Sequence, residues 1–263
     1  MLKIKGRAPN KGKAWDIIGS LFLDIGHLSI QKNKSIVKKF LDGIRKHDST
    51  CIIGASTIPL IQEIIKETPN TTVLDFSKKM CSDLLKILGP NRCSILLHDI
   101  ISSPTEHFHE KFNYVLADQL INCLTKKNVS KLFYKISQML QNGGEFRTII
   151  KFGLYKIDEI LLDYINKTGG NPSKFYNEKL GFIDYSKVLS ELHSINMPNI
   201  KIPNELLIDW YSYRGEEVRF KNDDINFNLI NSEITNGYFD IIENISLSDE
   251  NLRFFVFKWT KRK

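Results

Sequence analysis

Short apolar runs bounded by turn-forming residues alternate with amphipathic segments through the first 152 residues of this chain, and that alternation restricts the fold more than any other feature. The runs are Cys51 to Ala55, Thr72 to Phe76, Cys93 to Leu97, Phe112 to Ala117 and Phe146 to Phe152. Between them Leu60-Ile61-Ile64-Ile65, Met80-Leu84-Leu85-Leu88 and Leu132-Ile136-Met139-Leu140 set apolar side chains at helical spacing. A strand, a helix and a second strand close into one sheet through a right-handed crossover between parallel strands. The pattern therefore predicts an α/β protein with helices on both faces of a mostly parallel sheet.

The flanks follow a different rhythm. Ala14 to Ile25 and Ser35 to Ile44 read as two helices ahead of the first strand. After Phe152 come a helix around Ile157 to Tyr164, a turn at Thr168-Gly169-Gly170-Asn171-Pro172 and a helix near Tyr185 to Leu192. Met197-Pro198 and Pro203 then precede a helix over Leu206 to Tyr213. Residues 154–220 read as an insertion rather than an autonomous domain. Ile225 to Ile234 reads as a helix, and Tyr238 to Ile245 pairs with Leu252 to Trp259 as a terminal antiparallel hairpin.

With 263 residues, 42% hydrophobic and 25% charged, the chain is long enough to bury a full core and too apolar to be disordered. No apolar stretch approaches the ~18 residues of a membrane span, and Met1-Leu2-Lys3-Ile4-Lys5-Gly6-Arg7 lacks the apolar centre of a signal peptide. The expectation is a soluble, cytoplasmic protein with no membrane partner. Cys51, Cys81, Cys93 and Cys123 have no metal-ligand spacing and read as buried free thiols, so no metal site is expected. The net charge of +7 is concentrated in residues 1–50, which hold eleven Lys and Arg against four Asp. Such a segment suits an anionic ligand or nucleic acid, but no basic stripe interleaved with aromatics accompanies it, which disfavours nucleic acid.

The first turn carries the chemistry. Ile52-Ile53-Gly54-Ala55-Ser56-Thr57 ends an apolar run in small residues, and about twenty residues later Val73-Leu74-Asp75 ends the next run on a carboxylate. A turn that brings backbone close to a ligand, followed by an acid able to accept from two ribose hydroxyls, is the order a nucleotide-type cofactor needs. A dinucleotide pyrophosphate calls for three glycines at the turn, and only Gly54 is present. Adenosine joined to an amino-acid tail, without phosphate, tolerates Ala55, Ser56 and Thr57 there.

In these residues the chain resembles the class I S-adenosylmethionine-dependent methyltransferases. Ile52 to Thr57 stands at the family's first motif, Val73-Leu74-Asp75 at the acidic end of its second strand, and Leu96-Leu97-His98-Asp99-Ile100 at its third-strand end. Phe112-Asn113-Tyr114-Val115-Leu116-Ala117-Asp118 resembles its fourth strand, and Leu140-Gln141-Asn142-Gly143-Gly144-Glu145-Phe146 the turn before its fifth. The resemblance implies a Rossmann-like, mostly parallel seven-stranded sheet with the terminal hairpin at its edge. It also implies S-adenosyl-L-methionine as cofactor, with Gly54, Ala55 and Ser56 lining the methionine tail. Asp75 would accept from the ribose, Phe76 pack on the adenine, and Asp99 and the Ile100 amide read the adenine edge. Asp118 and Gln119 would stand near the tail and the reacting methyl. For Asp75 and Asp99 the alternative is local capping of the following segment.

The implied organisation is a helical segment 1–49 covering the cofactor site, a core formed by 50–153 and 221–263, and the insert 154–220 as a substrate-selecting lid. Transfer from a sulfonium needs little acid–base help, so no catalytic residue is assigned; His27, His98, His107 and His109 are candidates by residue type. Phe175, Tyr176, Phe182, Tyr185, Trp210, Tyr211 and Tyr213 build either an acceptor pocket or the insert's own core. Trp15 and Phe22 either close over the cofactor or anchor the core. The leading expectation is a methyltransferase acting on a small molecule or a metabolite carrying an acidic group. The alternatives are an RNA or protein methyltransferase, and a degenerate cofactor-binding or scaffold module.

Overall fold

The computed structural model describes residues 11–19, 21, 34–195, 203–221, 238–247 and 251–260. The predicted strands form as β1 (Thr50–Ile53), β2 (Thr71–Asp75), β3 (Ser94–Leu97), β4 (Phe112–Asp118) and β5 (Leu140–Lys151). The hairpin forms as β9 (Phe239–Ser246) and β10 (Leu252–Trp259), after three short strands in the insert, β6 (Tyr176–Asn177), β7 (Phe182–Asp184) and β8 (Glu216–Val218). The helices are α1 (Lys11–Ile18), α2 (Lys34–Leu41), α3 (Ile58–Glu67), α4 (Lys78–Leu88), α5 (Lys126–Met139), α6 (Lys156–Lys167), α7 (Leu189–Ser194) and α8 (Asn204–Arg214). No helix among the described residues is long and apolar enough to cross a membrane. The helix read at Ile225 to Ile234 lies outside the described residues, as do Phe22 and His27.

One sheet of seven strands runs in the order β3-β2-β1-β4-β5-β10-β9. β1 to β5 are mutually parallel, and β10 runs antiparallel to both of its neighbours. Every residue of β1 and β2 is buried, as expected of parallel strands covered on both faces. Alternation divides their side chains between two cores. Cys51, Val115, Ala117, Phe146 and Ile150 pack against Leu132, Phe133 and Ile136 of α5 on one face. Ile52, Val73, Leu116 and Ile149 pack against Phe40 of α2, Ile61 of α3 and Leu84 of α4 on the other.

Local chemistry sets the ends of the elements. The Ser77 hydroxyl accepts from the Met80 N–H at 3.1 Å to start α4, and Gly89 at φ +77° ends it. The pair Gly143-Gly144, expected to precede the fifth strand, lies within it. Register jumps from Phe112↔Leu140 to Tyr114↔Glu145, so residues 141–144 bulge out. A Cβ on Gly144 would stand 2.9 Å from the Gln141 carbonyl oxygen, so only glycine fits. From the same strand the buried Arg147 donates through Nη1 to the Phe40 and Asp42 carbonyls at 2.8 and 2.6 Å. This caps the open end of α2 and fastens it to the sheet.

The insert forms a satellite of its own. β6, β7 and β8 make a three-stranded antiparallel sheet. Of the rings with two possible roles, Phe175, Tyr185, Trp210 and Tyr211 are buried in the insert's core, together with Ala14 and Ile18 of α1. Tyr176, Phe182 and Tyr213 are half-buried. Trp15 of α1 meets Trp210 edge to face at 5.7 Å, so it serves as an anchor between α1 and the insert. Helix α1 starts at Lys11, a turn earlier than the apolar spacing indicated, and α2 ends at Leu41 rather than Ile44.

Candidate functional site

The chain runs β1 to β2 to β3 towards one edge of the sheet and then returns to place β4 on the other side of β1. Ligands bind open α/β sheets at such a reversal, outside the carboxyl ends of the strands. Gly54, Ala55 and Ser56 follow β1, Phe76 follows Asp75 at the end of β2, Asp99 and Ile100 follow β3, and Asp118 ends β4 with Gln119 directly after it. The fold thus gathers every predicted site residue on one edge.

Asp75 is the centre of this edge. Its carboxylate is 8% exposed and is oriented by two backbone donors, Ala55 N–H to Oδ2 at 2.8 Å and Ser77 N–H to Oδ1 at 2.7 Å. The acid at the end of β2 therefore holds the turn after β1 in place. That turn is fixed further by Gly54 N–H to the Leu74 carbonyl at 2.9 Å and by the Thr57 hydroxyl to the Gly54 carbonyl at 3.0 Å. Gly54 has φ +111°, and a Cβ there would meet only Ser56 Oγ at 4.0 Å, so the backbone faces open space. Phe76 is half-buried beside Gly12 of α1. Asp16 of α1 accepts from the Ser77 hydroxyl at 2.6 Å and the Lys79 N–H at 3.3 Å, which places a carboxylate at the start of α4.

Asp99 is turned into its own loop. Its Oδ1 accepts from Ile101 N–H at 2.9 Å and its Oδ2 from the Ser102 hydroxyl at 2.8 Å, with the residue 2% exposed. Ile100 is likewise buried. The local-capping alternative thus describes what Asp99 does in this structure, and the bond from Ser77 N–H to Asp75 shows that it holds in part for Asp75 too. His98 N–H donates to the Asp75 carbonyl at 2.7 Å, while its ring packs edge-on against His107 at 5.6 Å and Phe108 at 5.2 Å. Burial, then the neighbouring His107, push the His98 pKa down. His107 and His109 are exposed.

Gln119 holds φ +49°, an uncommon conformation for a residue with a side chain, and its N–H donates to the Ile149 carbonyl at 3.1 Å. Its Oε1 accepts from the Tyr155 hydroxyl at 2.9 Å. Asp118 beside it is half-buried. Behind Tyr155 lies a group that residue-by-residue reading missed. Asp158 Oδ2 accepts from Arg219 Nε at 2.7 Å and from the Tyr155 N–H at 2.8 Å, and its Oδ1 accepts from the Tyr185 hydroxyl. Arg219 reaches Glu217, which is paired with Arg214 at 2.6 Å. Burial, then the Asp158 charge, raise the Tyr185 hydroxyl far above its ordinary pKa, so it stays a donor.

A cavity of about 700 Å³ opens at the opposite, amino edge, lined by Arg45, Asp48, Asn70, Lys111, Asn113 and Gln141 among others. Its polar groups satisfy one another, as Asn113 Nδ2 to Gln141 Oε1 at 3.0 Å and Ser49 Oγ to the Lys111 carbonyl at 2.7 Å illustrate. It is built from strand starts and takes no part in the carboxyl-edge site.

No protein-family profile and no curated protein matches the chain. Among solved structures, a Rhodobacter sphaeroides protein described as a candidate Zn-dependent alcohol dehydrogenase is 28% identical, with TM-score 0.84 over 97% of this chain and 98% of that one. An S-adenosylmethionine-dependent methyltransferase from Methanosarcina mazei is 12% identical, with TM-score 0.52 over 88% and 99%. A candidate methyltransferase of the same dependence from Listeria monocytogenes is 9% identical, with TM-score 0.52 over 89% and 99%. Here the sheet ends in an antiparallel pair, with β10 between β5 and β9. Strand order, strand direction and the likeness to these enzymes together give the chain the class I S-adenosylmethionine-dependent methyltransferase fold.

Proposed function

We propose that the protein transfers a methyl group from S-adenosylmethionine to a small-molecule acceptor. The observation that carries this reading is Asp75, whose buried carboxylate is oriented by Ala55 and Ser77 on the carboxyl edge, one strand from the reversal between β1 and β4. A carboxylate has about four lone-pair directions, so orientation by two backbone donors is compatible with accepting from two adjacent ribose hydroxyls. The open space in front of Gly54 suits close approach of an amino-acid tail, and the half-buried Phe76 offers a ring to the base. The residues present fit the cofactor.

When bound, S-adenosylmethionine supplies an electrophilic methyl on a cationic sulfur, already a good leaving group. The work left to the chain is orientation and exclusion of water. Asp75 would fix the ribose, Gly54, Ala55 and Ser56 would line the tail, and Asp118 and Gln119 would face the transferred carbon. Asp99 shapes the loop that presents Ile100. An acceptor that arrives as an anionic nucleophile, with no proton left to lose, needs no general base.

A small acceptor is favoured by the way α1 and the insert meet. α1 contacts the end of β2 through Asp16 and Ser77, the insert contacts the end of β4 through Tyr155 and Gln119, and Trp15 joins the two at Trp210. A folded RNA or protein would have to part that contact to reach the edge. The zinc and oxidoreductase chemistry in the Rhodobacter protein's description finds no support here. Among the described residues no three His, Cys, Asp or Glu side chains come together to hold a metal ion, and the first turn lacks the glycines of a dinucleotide site.

The test is thermal unfolding with S-adenosylhomocysteine. At 100 times its dissociation constant a native-state ligand adds about 2.7 kcal/mol, which for a chain of this size raises Tm by about 5–10 °C. NAD is expected to leave Tm unchanged. A shift with NAD and none with millimolar S-adenosylhomocysteine would overturn the cofactor assignment.

A further inference from the structure

We propose that Tyr155 is a positioning residue: its hydroxyl sets the side chain of Gln119 and makes occupation of the carboxyl edge and ordering of the insert a single event. The inference rests on the cofactor reading above.

Tyr155 is the first point at which the insert touches the end of β4. Its hydroxyl donates to Gln119 Oε1 at 2.9 Å. Gln119 holds its left-handed backbone between that contact and the bond to the Ile149 carbonyl, and unfavourable backbone of this kind persists only where the surroundings over-determine it. The ring of Tyr155 is clamped in turn. The Arg219 guanidinium lies 4.6 Å from its centroid and the Lys151 ammonium 5.5 Å, and its N–H is bonded to Asp158.

Arg219 makes a second connection to the same turn. Its Nη1 donates to the Asn122 carbonyl at 3.3 Å, and the Asn122 side chain bonds the Lys151 backbone in both directions at 2.9 Å. The insert therefore grips residues 119–122 at two points, Gln119 through Tyr155 and Asn122 through Arg219. Stability alone is a poor reason for this construction. Arg219 and Asp158 are 1% and 0% exposed, and a buried ion pair often contributes no more than well-packed apolar residues of the same volume. What such a pair does supply is one fixed geometry, delivered here to the side chain that ends β4. A ligand that orders the end of β4 then orders the insert through the same bonds.

Hydrogen exchange of the full chain with and without saturating S-adenosylhomocysteine tests this. In the wild type the ligand is expected to slow exchange both in residues 119–123 and in the insert at 156–165 and 214–219. Tyr155→Phe, which removes only the hydroxyl, should bind the ligand within about threefold of wild type, less than 1 kcal/mol, and lose the protection in the insert. Gln119→Glu keeps an acceptor for the Tyr155 hydroxyl and should retain the protection, whereas Gln119→Leu should lose it. Those two variants approach the contact from the other side, so a poorly folded Tyr155→Phe does not remove the test. Full insert protection in Tyr155→Phe and Gln119→Leu, or a wild type that binds the ligand without protecting the insert, overturns the coupling and leaves the cofactor reading intact. A wild type that binds no S-adenosylhomocysteine overturns both.

Discussion

Removing the carboxylate of Asp75 should injure the fold as well as the binding site, and the two effects can be separated. In Asp75→Ala the N–H groups of Ala55 and Ser77, now bonded at 2.8 and 2.7 Å to a residue 8% exposed, lose their acceptor. A buried donor left without a partner costs about 1–3 kcal/mol, so two give about 2–6 kcal/mol. At 2–4 °C for each kcal/mol in a chain near this size, a central value of about 4 kcal/mol lowers Tm by about 8–16 °C. Urea unfolding measures the stability term, with an unchanged m-value showing that the midpoint shift is a stability change. Calorimetry at a temperature where the variant is still folded measures the second term, a further loss of about 1.5–3 kcal/mol in S-adenosylhomocysteine affinity. Glu63→Ala, which removes a half-buried carboxylate paired at the surface with Lys66, is the control and should cost less than about 1 kcal/mol and leave the affinity unchanged. A stability loss in Asp75→Ala below about 1 kcal/mol would refute the claim that this carboxylate holds the turn after β1. Unchanged affinity would remove Asp75 from the ligand.

Two further outcomes follow from burial. Trp210 is 3% exposed and packs against Arg214 and Trp15, so Trp210→Ala should cost about 3–5 kcal/mol while each folded molecule keeps its S-adenosylhomocysteine affinity; a loss under about 1 kcal/mol would mean the ring lines a solvated pocket instead. His98 has a folded-state pKa pushed below the unfolded value near 6.5, so the unfolded chain takes up its proton first and stability falls as pH drops through 6.5 towards the folded pKa. Urea midpoints measured from pH 7.5 to 5.5 should fall more steeply for wild type than for His98→Asn, and parallel slopes would exclude this histidine.

Periodicity identified β1 to β5, their intervening helices and the β9–β10 hairpin, because each is specified by neighbours within a few residues of one another. Spacing placed Gly54 and Asp75 at strand ends, and the family resemblance placed Asp99, Asp118 and Gln119 at others; the parallel sheet sends every such end to the same edge. The insert was less legible. β6, β7 and β8 are two or three residues long, too short to show a period of two, and β8 pairs with β7 across more than thirty residues. Its aromatic residues were compatible with a pocket or a core until packing placed Phe175, Tyr185, Trp210 and Tyr211 inside.

What the chain's order of residues determined by itself was the class of fold and the edge proposed for the ligand, because both follow from local patterns of apolar and turn-forming residues. Only the tertiary structure decided what the carboxylates do. Asp75 bonds the amide of Ala55 twenty positions before it, and Asp158 meets Arg219 sixty-one positions away. In the sequence Arg219 stands near Glu216, Glu217 and Lys221, with nothing to single it out. Burial and partnership depend on which surfaces the crossovers bring together, a long-range outcome that no window of neighbouring residues contains.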